Sequence, residues 1–241
     1  MRRTLPVVLI VAVMLILARF SAAQTQIDWQ GHTWKITNGA MAGVARGNPS
    51  NVSVDSNGYL HLNITKSSEN WTASELFTVE NLGFGTYQWV VEGDVWNMDP
   101  ATVLGLFPYG PTHGIGNDAM NEIDIEFSKW GNTCVCNADF TVYPSVSRQG
   151  KPSYENNFKV DNGTSLTTAR MVWSSTSIVF TIMSGDQPIG KTGNVLKTET
   201  FTSSKGDIPQ QPIPVGINFW AFKALPATKQ SAVIRSFQYV P

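Results

Sequence analysis

Three carboxylates recur at every second position of the segment 121–127, where Glu122, Asp124 and Glu126 alternate with apolar residues. Side chains alternate across a β-strand, so the three acids are expected on one face and the apolar residues on the other. Like charges on one face repel each other, and Glu and Asp are weak strand formers. The pattern therefore predicts a functional strand whose apolar face joins the core and whose acidic face borders a groove or solvent.

The chemistry that such a strand could perform is retaining glycoside hydrolysis, which needs one carboxylate as nucleophile and one carboxylic acid as proton donor. The Cα atoms of Glu122 and Glu126 would be about 13 Å apart in a strand, so the two side chains must lean towards one another. Asp124 could hydrogen-bond one of them, and its charge favours a protonated neighbour near neutral pH. Two other interpretations stay open: an ordinary exposed strand face and a divalent-metal site.

The elements that would position these acids are short β-branched and aromatic runs separated by Gly, Asn, Ser and Pro clusters. No segment sustains helical periodicity over three turns. The composition and spacing predict an all-β sandwich, jelly roll or barrel. The candidate strands are residues 33–37, 58–64, 74–79, 85–95, 102–109, 122–127, 139–143, 169–174, 177–183, 195–201, 215–222 and 232–239.

The amino terminus has the basic, apolar and small-residue order of a secretory signal peptide, which we expect to be cleaved after Ala23. The apolar run is shorter than a bilayer span, so we expect a secreted protein, extracellular or periplasmic, without membrane attachment. The 241-residue chain shows no internal boundary, which predicts one domain over residues 24–241 and a monomer. Without residues 1–23 it has 17 − 3 = 14 basic and 18 acidic residues. That balance disfavours nucleic acid and favours neutral substrates.

The only cysteines, Cys134 and Cys136, would reach an oxidising compartment. Two residues apart in an extended strand, their Cα atoms would be about 6.6 Å apart, so a disulfide needs a local turn or strain. No other ligand has zinc spacing to them. We expect that the two cysteines are either structural or unpaired and that they do not bind a metal.

The string Glu-Ile-Asp-Ile-Glu-Phe at 122–127 resembles the signature of glycoside hydrolase family 16, which includes lichenases, laminarinases, agarases, carrageenases and xyloglucan transglycosylases. Segments 74–76, 83–87, 103–109 and 218–220 are also similar to that family. The resemblance implies a concanavalin-like β-jelly-roll sandwich of two curved antiparallel sheets, with the substrate in the concave groove. It also implies Glu122 as the nucleophile, Glu126 as the acid/base, Asp124 as their assistant, and no cofactor.

Sugar rings stack on flat aromatic side chains and hydrogen-bond to polar ones. The candidate substrate-binding residues are Trp220, Asn218, Glu75, Trp130, Tyr143 and Tyr109, with Phe107 and His113 as weaker candidates. Core packing is the alternative for Phe107 and Tyr109, and Asn218 could instead satisfy backbone groups. Lichenase-like members have a Trp shortly before the signature and an Arg at the position of Phe77, so these departures leave the substrate open.

The leading hypothesis is an endo-acting hydrolase of β-1,3/1,4-glucan-like polysaccharide, working by double displacement. A transglycosylase would use the same intermediate but deliver it to a sugar hydroxyl. A lectin-like carbohydrate-binding protein would keep the fold without turnover. A calcium-stabilised structural domain would use the acids as ligands.

Overall fold

A computed structural model of the chain describes residues 25–68, 70–110, 120–145, 150–161, 164–203 and 206–241. The predicted signal peptide, residues 1–23, and His113 lie outside these ranges. Sixteen strands and three short 3-10 turns form the regular structure of the described residues. Within the same ranges no helix has the length and apolar character needed to cross a membrane.

The strands are β1 (Gln26–Trp29), β2 (His32–Ile36), β3 (Arg46–Gly47), β4 (Val52–Val54), β5 (Leu60–Ser67), β6 (Asn70–Thr78), β7 (Gly85–Glu92), β8 (Thr102–Pro108), β9 (Glu122–Ser128), β10 (Ala138–Tyr143), β11 (Tyr154–Phe158), β12 (Leu166–Trp173), β13 (Ser177–Ser184), β14 (Val195–Thr202), β15 (Val215–Ala221) and β16 (Gln230–Val240). The 3-10 turns are Pro49–Asn51, Val95–Asn97 and Trp130–Asn132.

The strands form two sheets. The front sheet has the order β1-β2-β6-β15-β8-β9-β10-β11, and the back sheet has the order β4-β5-β16-β7-β12-β13-β14. The pairing of β5 with β6 joins them, and every recorded pair is antiparallel except the short pairing of β3 with β6. This architecture confirms the predicted β-jelly-roll sandwich.

The core lies between the two sheets because each strand turns its apolar side chains inward. On β9, the side chains of Ile123, Ile125 and Phe127 are completely buried. Across the sandwich, Phe140 of β10 stacks on Phe180 of β13 with ring centroids 4.6 Å apart and planes 7° from parallel. Stacked rings from opposite sheets show face-to-face packing, which leaves the other face of the front sheet free for function.

All twelve predicted strands are present, with ends shifted by a few residues. The predicted strand 85–95 ends at Glu92, because Gly93 adopts a φ of +110° and a 3-10 turn follows it. The strands β1, β3, β4 and β11 were not predicted. The edge strand β11 has the sequence Tyr-Glu-Asn-Asn-Phe, which lacks the β-branched or aromatic run that marks an interior strand.

Cys134 and Cys136 form a disulfide in the loop between the turn Trp130–Asn132 and β10. Their Cα atoms are 5.3 Å apart, closer than in an extended strand. The chain bends there, which is the local turn that a bridge between such close cysteines requires.

Candidate active site

The strand β9 lies inside the front sheet, between β8 and β10, and carries the three signature acids on its outer face. Asp124 is buried, whereas Glu122 and Glu126 on either side of it are partly exposed. The intervening apolar side chains anchor the strand in the core, so the acids are held on a rigid element. This is the arrangement that the alternation predicts.

The neighbouring strand β10 adds a second polar row on the same face. In the antiparallel register Asp139 is opposite Glu126, Thr141 is opposite Asp124, and Tyr143 is opposite Glu122. Directly opposed residues have Cβ atoms only about 4.5–5.5 Å apart. The front sheet therefore gathers four carboxylates within two adjacent strands.

Burial and mutual repulsion control the protonation of these acids. Burial, followed by the charges of Glu122, Glu126 and Asp139, raises the pKa of Asp124 well above its usual range. A hydrogen bond to Glu122 also favours the protonated form of Asp124, so the Asp124 carboxyl donates and the Glu122 carboxylate accepts. Burial, followed by the charges of Asp139 and Glu122, raises the pKa of Glu126. The strand thus favours the protonated forms of Asp124 and Glu126.

Asp139 is almost completely buried and has its own hydrogen-bond donors. Trp130 Nε1 donates to Asp139 Oδ1 at 2.9 Å, and the Thr141 hydroxyl donates to Oδ2 at 3.1 Å. Burial raises the pKa of Asp139 to about 7, while these two hydrogen bonds act in the opposite direction. Asp139 therefore titrates close to neutral pH.

A cavity of about 370 Å³ opens over this part of the front sheet. Its lining residues are Glu126, Trp130, Thr133, Cys134, Asp139, Thr141, Tyr143, Glu155, Asn157 and Phe222. Three of them are acids, and none of the described residues in the lining is basic. Aromatic walls beside convergent polar groups are typical of sites that bind sugars.

The turn that follows β9 presents Trp130 to the cavity. Trp130, Gly131 and Asn132 all have positive φ, at 48°, 66° and 61°. Left-handed backbone at a non-glycine residue is costly and concentrates at functional sites. The Ser128 hydroxyl accepts from the Trp130 backbone N–H, and the Pro100 carbonyl accepts from Gly131 N–H, so the turn is fixed on both sides.

Trp220 belongs to the aromatic group at this end of the face. Its ring centroid is 6.2 Å from that of Trp130 and 6.0 Å from that of Phe222, both in edge-to-face arrangements. Gly43 packs so closely on the indole that a Cβ atom there would lie 2.4 Å from a Trp220 ring carbon. Trp220 therefore supports the cavity wall, and Phe222 and Trp130 form the lining itself.

The predicted polar residues Asn218 and Glu75 lie further across the same face and are both buried. Asn218 is opposite Gly105 on β8 and Glu75 on β6. Its Oδ1 accepts a hydrogen bond from the Gly105 backbone N–H at 3.1 Å. Asn218 therefore satisfies a backbone group, which was the alternative to a role in sugar binding. The Thr37 hydroxyl donates to Glu75 at 2.8 Å, and burial raises the pKa of Glu75 to about 7.

The predicted aromatic residue Tyr109 lies beside Glu122 but is packed away. It forms a small cluster with Phe77 and Phe107, separate from the main core, and all three are buried. The rings of Phe77 and Phe107 lie directly over Gly216, where a Cβ atom would come within 2.7 Å of either ring. Tyr109 and Phe107 thus fill this flank rather than offer an open platform.

The sequence did not lead us to predict seven of the ten cavity residues as site residues: Thr133, Cys134, Asp139, Thr141, Glu155, Asn157 and Phe222. A signal existed for Asp139, since it has the same strand parity as Tyr143, which was predicted to bind substrate. Glu155 and Asn157 lie on the unpredicted strand β11, and Phe222 follows the end of β15.

Metal-binding geometry was the other interpretation of the signature acids. Across the described ranges, no group of three or more His, Cys, Asp or Glu side chains is placed to hold a metal ion. The four acids on β9 and β10 are instead spread along two strands.

Comparison with known proteins rests on structure, since no protein-family model and no characterised sequence matches the chain. A β-glucanase from Bacillus licheniformis superposes with a TM-score of 0.66 at 23% identity, over 91% of this chain and 100% of that one. A β-1,3-1,4-glucanase (lichenase) from a mouse hindgut metagenome gives 0.62 at 22% identity, over 86% and 92%. A Mycobacterium tuberculosis protein described as a pseudo β-1,3-glucanase gives 0.61 at 16% identity, over 85% and 89%.

The chain has the β-glucanase fold. At these identities the similarity establishes architecture, and it agrees with the jelly roll that the family resemblance implies. Function must be argued from the site, because one fold hosts several functions.

Proposed function

We propose that the chain is a secreted retaining endo-glycoside hydrolase of family 16 that cleaves neutral β-linked glucan. The observation that carries the proposal is the row of Glu122, Asp124 and Glu126 on one outer strand face beside an aromatic cavity. The glucanase fold supports it, as does the signal-like amino terminus.

The protonation pattern supports the roles that the family resemblance implies. The hydrogen bond between Asp124 and Glu122 favours the protonated form of Asp124, and an acceptor held in this way suits the nucleophile role of Glu122. The raised pKa of Glu126 suits a group that must carry a proton near neutral pH. Both groups lie on one rigid strand, so their relative position does not depend on a loop.

The reaction then proceeds in two displacements. Glu122 attacks the anomeric carbon while Glu126 gives its proton to the departing glycosidic oxygen, forming a glycosyl ester on Glu122. Water next attacks that ester, and the Glu126 carboxylate takes the proton from the water. Glu122 returns to its ionised form and Glu126 to its protonated form.

The charge of the cavity restricts the substrate. Glu126, Asp139 and Glu155 all line it, and no described lining residue is basic. A sulfated or uronate polymer would meet an acidic lining without a basic partner, and like charges brought together at an interface cost several kcal/mol. A neutral glucan meets no such penalty, and it can stack its apolar ring faces on Trp130 and Phe222.

The test is reducing-sugar release by residues 24–241 on laminarin, mixed-linkage glucan, xyloglucan, agarose and κ-carrageenan, beside Glu122→Gln. We expect release from at least one neutral β-glucan, none from carrageenan, and a loss in the variant of about 10³-fold or more. Release that persists in Glu122→Gln would remove this residue as the nucleophile. Release from carrageenan alone would overturn the neutral-substrate assignment.

A non-catalytic carbohydrate-binding protein is the second candidate, since one of the proteins with this fold is described as a pseudo β-1,3-glucanase. Glucan binding without release would select it. A transglycosylase would instead lengthen oligosaccharide acceptors in the presence of the same polymer.

A further inference from the structure

We propose that Asp139 is a positioning residue that acts through Glu126: the ionised Asp139 carboxylate across the strand pair keeps Glu126 protonated until a leaving oxygen takes the proton. This inference rests on the proposed hydrolase function for its role in turnover. The signature acids on β9 do not include it.

The geometry that carries the inference is the register of β9 and β10. Asp139 is directly opposite Glu126, and both side chains face the cavity. Because the two strands are hydrogen-bonded within one sheet, neither carboxyl can move away from the other without a change of rotamer.

The hydrogen bonds to Asp139 decide which member of the pair is ionised first. Both Asp139 oxygens accept, one from the Trp130 indole and one from the Thr141 hydroxyl. An acceptor-only pattern stabilises a carboxylate over a carboxylic acid. The left-handed turn holds the Trp130 indole in place, so the donor is present before any substrate arrives.

The other charged groups around Asp139 and Glu126 also favour ionisation of Asp139 before Glu126. Glu122 and Asp124 on β9 and Glu155 on β11 are acidic. On β10, burial raises the pKa of Tyr143 above its usual value, so its phenol carries no charge near pH 7. The ring of Tyr109, which follows β8, is buried. The ammonium of Lys223 lies over the Phe222 ring at 4.7 Å, and Lys223 is not among the residues that line the cavity. The charge of Asp139 is the largest electrostatic contribution that raises the pKa of Glu126.

The charge of Asp139 would assist Glu126 in both displacements. In the first displacement Glu122 loses its charge on becoming an ester, while Glu126 gains one by giving up its proton. The Glu126 carboxylate then faces the charge of Asp139, which makes it a stronger base towards the incoming water. The same neighbour therefore preserves the acid and strengthens the base.

The experiment is a pH titration of the glutamate side-chain carboxyls by NMR in ¹³C-labelled protein, with the Glu126 signal assigned by its loss in Glu126→Gln. The test variant is Asp139→Asn, which keeps the shape and removes the charge. The control is Glu155→Gln, which removes a charge from the same cavity on the edge strand. The pH dependence of kcat/KM on a responsive glucan is measured in parallel.

We expect Asp139→Asn to lower the pKa of Glu126 by about one unit or more, and the alkaline limb of kcat/KM to move down equally. Glu155→Gln should move the Glu126 pKa much less. Trp130→Phe keeps the ring but removes the donor, so it should lower the Glu126 pKa in the same direction by a smaller amount. This variant keeps the test decisive if Asp139→Asn does not fold.

An unchanged Glu126 pKa in Asp139→Asn and Trp130→Phe would overturn the inference, even in an active enzyme. A shift as large in Glu155→Gln would also overturn it, because general cavity charge would then explain the effect. Absence of hydrolysis by every protein would instead contradict the proposed function, and the NMR titration would still decide whether Asp139 controls Glu126.

Discussion

The outer face of the front sheet has two flanks of opposite character. Over β9, β10 and β11 it carries acids, hydroxyls and an amide around an open cavity. Over β6, β15 and β8 it carries the buried cluster of Phe77, Phe107 and Tyr109, in which the two Phe rings pack on Gly216. The same sheet therefore provides a reactive flank and a filled flank, which we call the open flank and the packed flank.

The difference shows that alternation on a strand does not decide which side chains meet a substrate. The side chains of both flanks alternate outward along their strands, yet Phe77, Phe107 and Tyr109 of the packed flank are buried. Phe77, where the resemblance leads one to expect an Arg, places an aromatic ring in this buried cluster. The open flank is therefore where we expect substrate contacts to concentrate.

The largest effect should come from removing the acid on the open flank. Glu126→Gln cannot give a proton to the leaving oxygen, so hydrolysis of polysaccharide should fall on the order of 10²–10⁴-fold. An aryl glycoside with an acidic leaving group needs little protonation and should lose much less. The rates of both substrates in the variant and in the wild type are the measurement.

The leaving-group dependence serves as the internal control of this variant. Equal losses for both substrates would mean that Glu126 does more than donate a proton, or that the fold is damaged. A melting temperature close to that of the wild type would exclude the second explanation.

A matched pair of substitutions tests the two flanks against each other. Phe77→Ala should lower the free energy of unfolding by about 3–5 kcal/mol, since it leaves a cavity in a buried cluster. Phe222→Ala removes the same ring from a partly exposed wall of the open flank, so its stability loss should be about half as large. Urea unfolding measures both.

The kinetic effects of the pair should have the reverse order. Phe222→Ala should raise KM for the responsive glucan several-fold, and Phe77→Ala should leave KM close to the wild-type value at a temperature where it is folded. A larger KM change in Phe77→Ala would show that the packed flank opens to admit substrate.

The sequence was informative wherever a pattern repeats locally. The alternating signature located β9 and its two faces, and the aromatic and β-branched runs located twelve strands. It could not supply the register between strands, because hydrogen-bond pairing of distant segments leaves no local mark. That is why Asp139 was seen only as the start of a strand, although it lies opposite Glu126.

Packing was equally hidden from the sequence. Tyr109 and Phe107 are aromatic residues that could stack on sugars, and only the three-dimensional contacts reveal that they form a buried cluster with Phe77. The strand β11 was missed because an edge strand can be polar on both sides, and it brings Glu155 and Asn157 to the cavity.

The smallest predicted effect is on the pH dependence of stability and concerns Glu75, the acid of the packed flank. It tests whether water reaches that flank. Its pKa rises from 4.5 in the unfolded reference to about 7 in the folded protein, chiefly through burial. The folded state therefore binds the proton more tightly. Stability contributed by this group is present at low pH and is lost as pH rises from about 4.5 through about 7. A shift of this size corresponds to about 3 kcal/mol, as an upper value.

Glu75→Gln should remove that loss, since an amide does not ionise and can still accept the hydrogen bond from Thr37. Its free energy of unfolding should match the wild type at pH 4 and exceed it at pH 8 by up to about 3 kcal/mol. Asp124, Glu126 and Asp139 have the same sign of pH dependence and remain in the variant, so a residual decline is expected. Parallel stability curves for the two proteins would mean that water reaches Glu75, and that the packed flank is open where the structure shows it closed.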